Sequence, residues 1–100
     1  MKINNKKDGN VLTVELEGRL DTNTAPKLDA ELSDLDGIKR IVLDLNKLEY
    51  ISSAGLRVVL MLHKKMASTG GRRIISNPTD DVMDVLDMTG FSTFLTIEEC

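Results

Sequence analysis

The chain has 100 residues, with 13 Lys and Arg against 16 Asp and Glu, one His and one Cys. This length allows one domain, which we expect to span residues 1–100, and leaves no room for a second. A single cysteine excludes an intramolecular disulfide framework and a multi-cysteine zinc site. The net charge of −3 argues against a nucleic-acid-binding protein.

No membrane or export segment is predicted. The longest uninterrupted apolar run covers residues 58–62, far short of the roughly 20 residues that a membrane helix needs. No apolar segment follows Met1-Lys2, so no signal peptide is predicted and a cytoplasmic location is expected.

The first predicted elements form a hairpin. Residues 10–17 alternate, with Leu12, Val14 and Leu16 on one face, which is typical of a half-buried strand. Asp8-Gly9 is a turn signal, so residues 2–7 are predicted to pair with this strand in the antiparallel sense. The lysines of residues 2–7 suit the edge of a sheet.

A helix and a central strand follow. Helical spacing covers about residues 24–34, with Pro26 in the first turn and an apolar stripe of Ala25, Leu28, Leu32 and Leu35. Residues 41–45 are apolar on both faces, which predicts a central strand parallel to a neighbour. Residues 46–51 are predicted as a loop.

The second half alternates helices and strands. A long helix is predicted from the Ser52-Ser53-Ala54-Gly55 segment to about Ser68, where Gly70-Gly71 ends it. Its predicted buried stripe consists of Leu56, Val59, Leu60, His63 and Ala67. A strand over 72–76, a third helix and a last strand over 94–97 follow. The third helix opens at Pro78-Thr79, ends at Gly90 and is predicted to bury Val82, Val85, Leu86 and Met88. The order ββαβαβαβ predicts an α/β fold, a mixed sheet with helices packed against it.

The chain carries little of what catalysis needs. His63 is interpreted as a packed structural histidine, and Cys100 as a stray thiol. Residues 70–73 lack the spacing and the Lys-Ser/Thr pair of a phosphate-binding loop. Without a base, nucleophile and orienting group, an enzyme is disfavoured, and neither a metal nor a cofactor is expected.

The serine pair is the one chemically suggestive feature. Ser52 and Ser53 precede an apolar helical run, so their simplest interpretation is a helix N-cap. A hydroxyl at this place is also accessible, and a phosphate on it would meet free backbone N–H groups and the positive end of the helix dipole. Arg57 and Met61 follow Ser53 by one and two turns, which predicts a shared docking face. The small residues Ala54 and Gly55 would let the active site of another protein approach.

Two motifs resemble those of a known family. Residues 42–45, Leu48, residues 50–56 and residues 58–60 resemble the signature of STAS domains, and most closely that of small bacterial anti-sigma factor antagonists. Gly18-Arg19-Leu20-Asp21, followed by Thr24, resembles the second landmark of that family. Gly70-Gly71 and residues 88–91 match two weaker ones, so the resemblance covers nearly the whole chain in the right order and implies a STAS-like fold.

The resemblance implies a binding switch. Members of the family bind an anti-sigma factor, usually a serine kinase, and so release the sigma factor that it holds. The kinase phosphorylates one serine at the start of the helix, which abolishes binding, and a serine phosphatase restores it. By motif position that serine is Ser53; Ser52, which stands where many members have Asp, is the second choice.

The resemblance also implies a partner-binding site. Asp21 and Thr24 match positions beside the phosphorylation site of the family. Together with the segment after the acceptor they give the expected partner-binding residues: Asp21, Thr24, Ser52, Ala54, Gly55, Arg57 and Met61. A monomer or weak dimer without nucleic-acid or membrane partners is expected.

Two alternatives remain open. The chain could be a STAS interaction module of another regulatory, transporter-associated or lipid-trafficking complex, in which the serine is only a helix cap. A small nucleotide-binding or nucleotide-hydrolysing enzyme ranks last, because the phosphate loop and the base are missing.

Overall fold

The computed structural model describes residues 1–98, and this part of the chain forms a five-stranded sheet with strands in the order β1-β2-β3-β4-β5. The β1 strand pairs with β2 in the antiparallel sense, and all later neighbours are parallel. The predicted hairpin, the parallel central strand and the mixed α/β fold are thereby confirmed. The elements are β1 Lys2–Asp8, β2 Val11–Leu20, α1 Ala25–Glu31, β3 Arg40–Ile51, α2 Ser53–Ser68, β4 Arg72–Ser76, α3 Asp80–Met88, a 3₁₀ turn Phe91–Thr93 and β5 Thr96–Glu98.

The core lies between one face of the sheet and the helices. Alternate side chains of β2 and β3, such as Val14, Ile41 and Leu43, are buried in one cluster with Leu28 of α1 and Leu86 of α3. Burying a side chain of this kind contributes about 1.5–3 kcal/mol. The residues between them on β2 and β3 are half-buried on the opposite face: Thr13, Glu15, Val42 and Asp44.

The predicted loop over residues 46–51 is wrong, because β3 runs on to Ile51. Between Asp44 and Tyr50 its pairing with β2 shifts twice, and each shift adds one residue on the β3 side. These two β-bulges space the buried residues Leu45, Leu48 and Ile51 by three instead of two. The alternation that identifies a strand in the sequence is therefore lost, although the strand continues.

The buried face of α2 is also not the predicted one. Leu56 and Val59 are buried as predicted, but Leu60 and His63 are half-buried and Ala67 is exposed. The helix is apolar on two adjacent faces, so hydrophobicity alone does not identify the one that faces the sheet. The buried residues are Gly55, Leu56, Val58, Val59, Leu62 and Met66.

The last elements differ at their boundaries. Met88, predicted to be buried, is 85% exposed at the end of α3, and Val85 is half-buried. The final strand begins at Thr96, because Phe94 ends the 3₁₀ turn and packs its ring against Phe91 and His63. The interpretation of Cys100 lies outside the described residues. Within residues 1–98, no helix is long and apolar enough to cross a membrane.

Candidate functional site

The candidate site is the corner where β2 and β3 end and α2 begins. The backbone N–H of Ser52 donates to the carbonyl of Leu20 at 2.8 Å, which joins the start of α2 to the end of β2. Ser52 has an extended backbone and is the N-cap residue of α2. Its hydroxyl accepts the N–H of Gly55 at 3.3 Å, and the side chain is half-buried. Ser52 therefore has the capping role that the sequence predicts for this position.

Ser53, the first residue of α2, is exposed. Within the described chain its hydroxyl has no hydrogen-bond partner. The first turn of α2 holds no acidic side chain, and the first N–H groups of a helix have no partner within the helix. A free hydroxyl thus lies beside the electropositive end of a 16-residue helix.

Gly55 has a packing role. A Cβ atom at this position would lie 2.7 Å from Cγ of Leu20 and 2.9 Å from Cγ1 of Ile51, closer than side-chain carbons approach one another. The missing side chain lets the first turn of α2 rest on the ends of β2 and β3. Gly55 is buried. It therefore lies beneath the first turn of α2 and not on the surface, where the sequence predicts it among the partner-binding residues.

Asp21 and Thr24 form a closed turn between β2 and α1. The Thr24 hydroxyl accepts the N–H of Asp21 at 2.8 Å and donates to the carbonyl of Arg19, also at 2.8 Å. Oδ1 of Asp21 accepts the N–H groups of Asn23 and Thr24 at 3.0 and 3.2 Å. Burial raises the pKa of Asp21, but these hydrogen bonds and the charge of Arg19 outweigh it, so the pKa lies below its ordinary value. Asp21 is therefore a stable carboxylate within the turn.

Arg19 and Tyr50 form a pair that the sequence did not single out. They face each other in the register of β2 and β3, and the Arg19 guanidinium lies 4.4 Å from the centre of the Tyr50 ring. Both side chains are exposed, Tyr50 by 38%. Arg19 lies inside the Gly18–Asp21 landmark and Tyr50 inside the helix-start motif, but the bulges in β3 conceal that the two are neighbours.

The residues of α2 that the sequence predicts as a docking stripe lie at the surface. Ser53, Arg57 and Met61 are all exposed, with Met61 42% accessible, and they follow one another at one-turn spacing. Ala54 is half-buried and packs against the core.

His63 lies away from this corner and has the structural role expected of it. Its ring packs against Phe94 with the ring centres 4.8 Å apart, and Nδ1 accepts a hydrogen bond from Nε of Arg73. Burial lowers the pKa of His63 below its ordinary value, and the positive charge of Arg73 lowers it further. The neutral imidazole fits this site, because Nδ1 has to be unprotonated to accept the hydrogen bond from Arg73.

A fall in pH from 7 to 5 should therefore destabilise the protein. A lowered pKa in the folded state means that the unfolded chain binds more protons, so the stability present above pH ~6.5 is lost as the pH falls toward the folded pKa. We expect the thermal midpoint to decrease between pH 7 and pH 5, measured by circular dichroism. His63→Gln should flatten this dependence, because His63 is the only histidine in the sequence. An equal slope in both proteins would contradict the assignment.

Known proteins resemble this chain over nearly its whole length. The STAS domain family model matches residues 2–100. BtrV of Bordetella bronchiseptica, described as an anti-sigma factor antagonist, is 36% identical over 99 residues, covering 97% of this chain and 85% of BtrV. The anti-sigma F factor antagonist of Paenibacillus polymyxa is 32% identical over 92 residues, covering 87% of this chain and 77% of the relative.

Solved structures show the same fold. The anti-sigma factor antagonist SpoIIAA in its unphosphorylated form superposes with a TM-score of 0.88 at 19% identity, covering 99% of this chain and 88% of SpoIIAA. The phosphorylated form of Bacillus SpoIIAA gives 0.81 at 18% identity, covering 99% and 91%. With a family match over nearly its whole length and two anti-sigma factor antagonists among its relatives, the chain belongs to the STAS domain family.

Proposed function

We propose that the chain is an anti-sigma factor antagonist, one STAS domain that binds an anti-sigma factor through the corner around Ser53 and thereby frees a sigma factor. Its relatives from Bordetella and Paenibacillus bear this description. The observation that carries the proposal is the exposed Ser53 hydroxyl, without a hydrogen-bond partner among residues 1–98, at the start of α2. In this proposal the chain catalyses no reaction itself.

The proposed phosphate acceptor is Ser53. A kinase has to place the acceptor hydroxyl in line with the γ-phosphate of ATP, which requires a side chain that can reach out of the surface. Ser53 satisfies this requirement, whereas the hydroxyl of Ser52 is half-buried and caps Gly55. Transfer forms a bond from the Ser53 oxygen to the γ-phosphorus, breaks the bond to ADP and releases the hydroxyl proton.

The proposed partners are an anti-sigma factor that is itself the serine kinase and a phosphatase that hydrolyses the phosphoserine. A phosphate on Ser53 brings a charge of about −1.5 to −2 at pH 7. The free protein accommodates this charge, because it meets the N-terminal end of α2. In the complex the same group lies in the interface, where it has to be desolvated or opposed by like charge. Binding is therefore lost without a change of fold.

The acceptor assignment predicts opposite results for two neighbouring alanine substitutions. The purified chain is incubated with ATP and each anti-sigma factor kinase encoded in its own genome, and the peptide of residues 50–57 is examined by mass spectrometry. One phosphate is expected on Ser53 in the wild type and in Ser52→Ala, and none in Ser53→Ala. Phosphate on Ser52 alone would reassign the acceptor, and no phosphate with any kinase would contradict regulation by phosphorylation.

Stability provides the matched control for this pair. Ser52→Ala removes the hydroxyl that caps α2 and should lower the free energy of unfolding by about 1 kcal/mol. Ser53→Ala removes a hydroxyl without a partner in the described chain and should change it by less than about 0.5 kcal/mol. Urea unfolding of both variants measures the difference, and equal stability would contradict the division of roles between the two serines.

A further inference from the structure

Within residues 1–98, one face of the sheet carries no helix. The buried residues of α1, α2 and α3 form a single cluster with the inward side chains of β2 and β3, so all three helices pack on the same face. Ile74 of β4 is directed to the opposite face, because it pairs with Val42, which lies between the inward residues Ile41 and Leu43. Ile74 is only 6% exposed but is not part of that cluster. The opposite face therefore has buried apolar surface of its own.

Strand register arranges the side chains of this face in three rows across the sheet, because register partners and residues two apart along a strand project from the same face. The uncharged middle row consists of Thr13, Val42, Ile74 and Thr96. Two residues earlier along the parallel strands is a basic row, which consists of Val11, Arg40 and Arg72. Two residues later is an acidic row, which consists of Glu15, Asp44, Ser76 and Glu98. We call these three rows the open face.

The β1 strand borders the open face and pairs with the acidic residue nearest to it. Lys6 makes a salt bridge of 2.8 Å with Glu15. The hydrogen bond and the charge of Glu15 raise the pKa of Lys6, and the charge of Asp44 on the next strand adds to the rise, so these side chains lie close together. Asp8 stands at the β1 end of the basic row. The charges that remain for a partner are those of β3, β4 and β5, namely Arg40, Arg72, Asp44 and Glu98.

We propose that two copies of this chain bind each other through the open face, with their strands running in opposite directions. The two-fold axis lies between the two sheets, parallel to them and perpendicular to the strands, and passes over the middle row. It places Arg40 of each copy opposite Asp44 of the other copy. Arg72 then lies between Asp44 and Glu98 of the other copy. The middle rows pack against each other at about the 10 Å spacing of stacked sheets.

The arrangement of charge identifies a second copy as the occupant. A two-fold interface needs a surface that is complementary to itself, and the open face meets this condition because its basic and acidic rows lie at equal distances from the middle row. A two-fold axis parallel to the strands would instead bring Arg40 over Arg72 of the other copy, and like charges oppose that arrangement. Three rows on four strands cover roughly 400 Å² per copy, half the area of a standard interface, so the dimer should be weak.

The test is sedimentation equilibrium of the purified chain from about 20 μM to about 1 mM, in low salt and with a reductant that keeps Cys100 from forming a disulfide. The wild type should dimerise reversibly. Arg40→Glu should lower the association constant by about tenfold or more, because the change acts twice in the dimer. Lys64→Glu, an equal charge change on exposed α2, is the matched control and should lower it less than about threefold. The charge swap that combines Arg40→Asp with Asp44→Arg should restore dimerisation.

Circular dichroism melting checks that each variant is folded, and Arg72→Glu repeats the test on the neighbouring strand. A wild type that stays monomeric at the highest concentration would overturn the inference. So would a dimer that Arg40→Glu and Lys64→Glu weaken equally, which is the result expected of a contact through the helices or the sheet edges.

The dimer does not depend on the proposed function. The α2 helix packs on the other face of the sheet, so the corner around Ser53 stays accessible in the dimer. Ser53→Asp should therefore leave the association constant unchanged. A chain that fails to dimerise would leave the proposed function standing, and a chain that binds no anti-sigma factor would leave the dimer standing.

Discussion

Phosphorylation of Ser53 is expected to weaken binding to the anti-sigma factor by about a thousandfold while leaving the thermal midpoint nearly unchanged. The phosphate occupies the free end of α2, where the helix dipole favours it by about 0.3–2 kcal/mol. In the interface the same group costs several kcal/mol, and a penalty of about 4 kcal/mol corresponds to a factor of a thousand.

The measurement compares the unmodified chain, the chain phosphorylated by its kinase, and Ser53→Asp. The aspartate carries less charge and should show a smaller loss in the same direction. Ser68→Asp is the matched control, because Ser68 is exposed at the opposite end of α2 and the added charge is the same. Undiminished affinity of the phosphorylated chain, or an equal loss in Ser68→Asp, would count against Ser53 as the switch.

The second large effect concerns the packing beneath the acceptor. Gly55→Ala would normally stabilise a helix by about 1 kcal/mol, because alanine is the better helix former. Here the new methyl group would lie within 3 Å of Leu20 and Ile51, both deeply buried, and overpacking of a core costs about 1–3 kcal/mol. We expect a net loss of stability in urea unfolding and weaker binding to the anti-sigma factor, because α2 has to move away from the sheet.

A double-mutant cycle separates this clash from other causes. Leu20→Ala alone should cost about 2–5 kcal/mol, because it leaves a cavity under α2. Adding Gly55→Ala to that variant should cost less than it does in the wild type, since the two close approaches to Leu20 are then removed and only the one to Ile51 remains. Simple additivity of the two changes would contradict the role assigned to Gly55.

The elements predicted well are those whose signals are local. Asp8-Gly9 and the alternation of Leu12, Val14 and Leu16 identify the hairpin, and the structure has Gly9 in the left-handed conformation at its turn. The start of α2 was also predicted, because Ser52 carries the chemistry of an N-cap.

The features that the sequence concealed depend on non-local geometry. The buried stripe of α2 is decided by the angle at which the helix meets the sheet, and apolar residues on two adjacent faces allow either choice. Which of Ser52 and Ser53 caps α2, and which is exposed, depends on the residue at which the helix begins. Arg19 and Tyr50 become neighbours only through the shifted register of β3.

The two bulges of β3 also bear on how this chain tolerates changes in length. Because each bulge places two residues opposite one, deletion of Asn46 or of Glu49 would remove one of the two bulges and keep Leu48 and Ile51 directed inward. The hydrophobic interior would survive, but the strand would lose the local bend and twist that bulges introduce. The direction in which Ser53 is presented would change with it. We expect such a shortened chain to fold but to present the Ser53 hydroxyl in a different direction. A deletion in the bulged part of β3 would therefore disturb regulation without preventing folding.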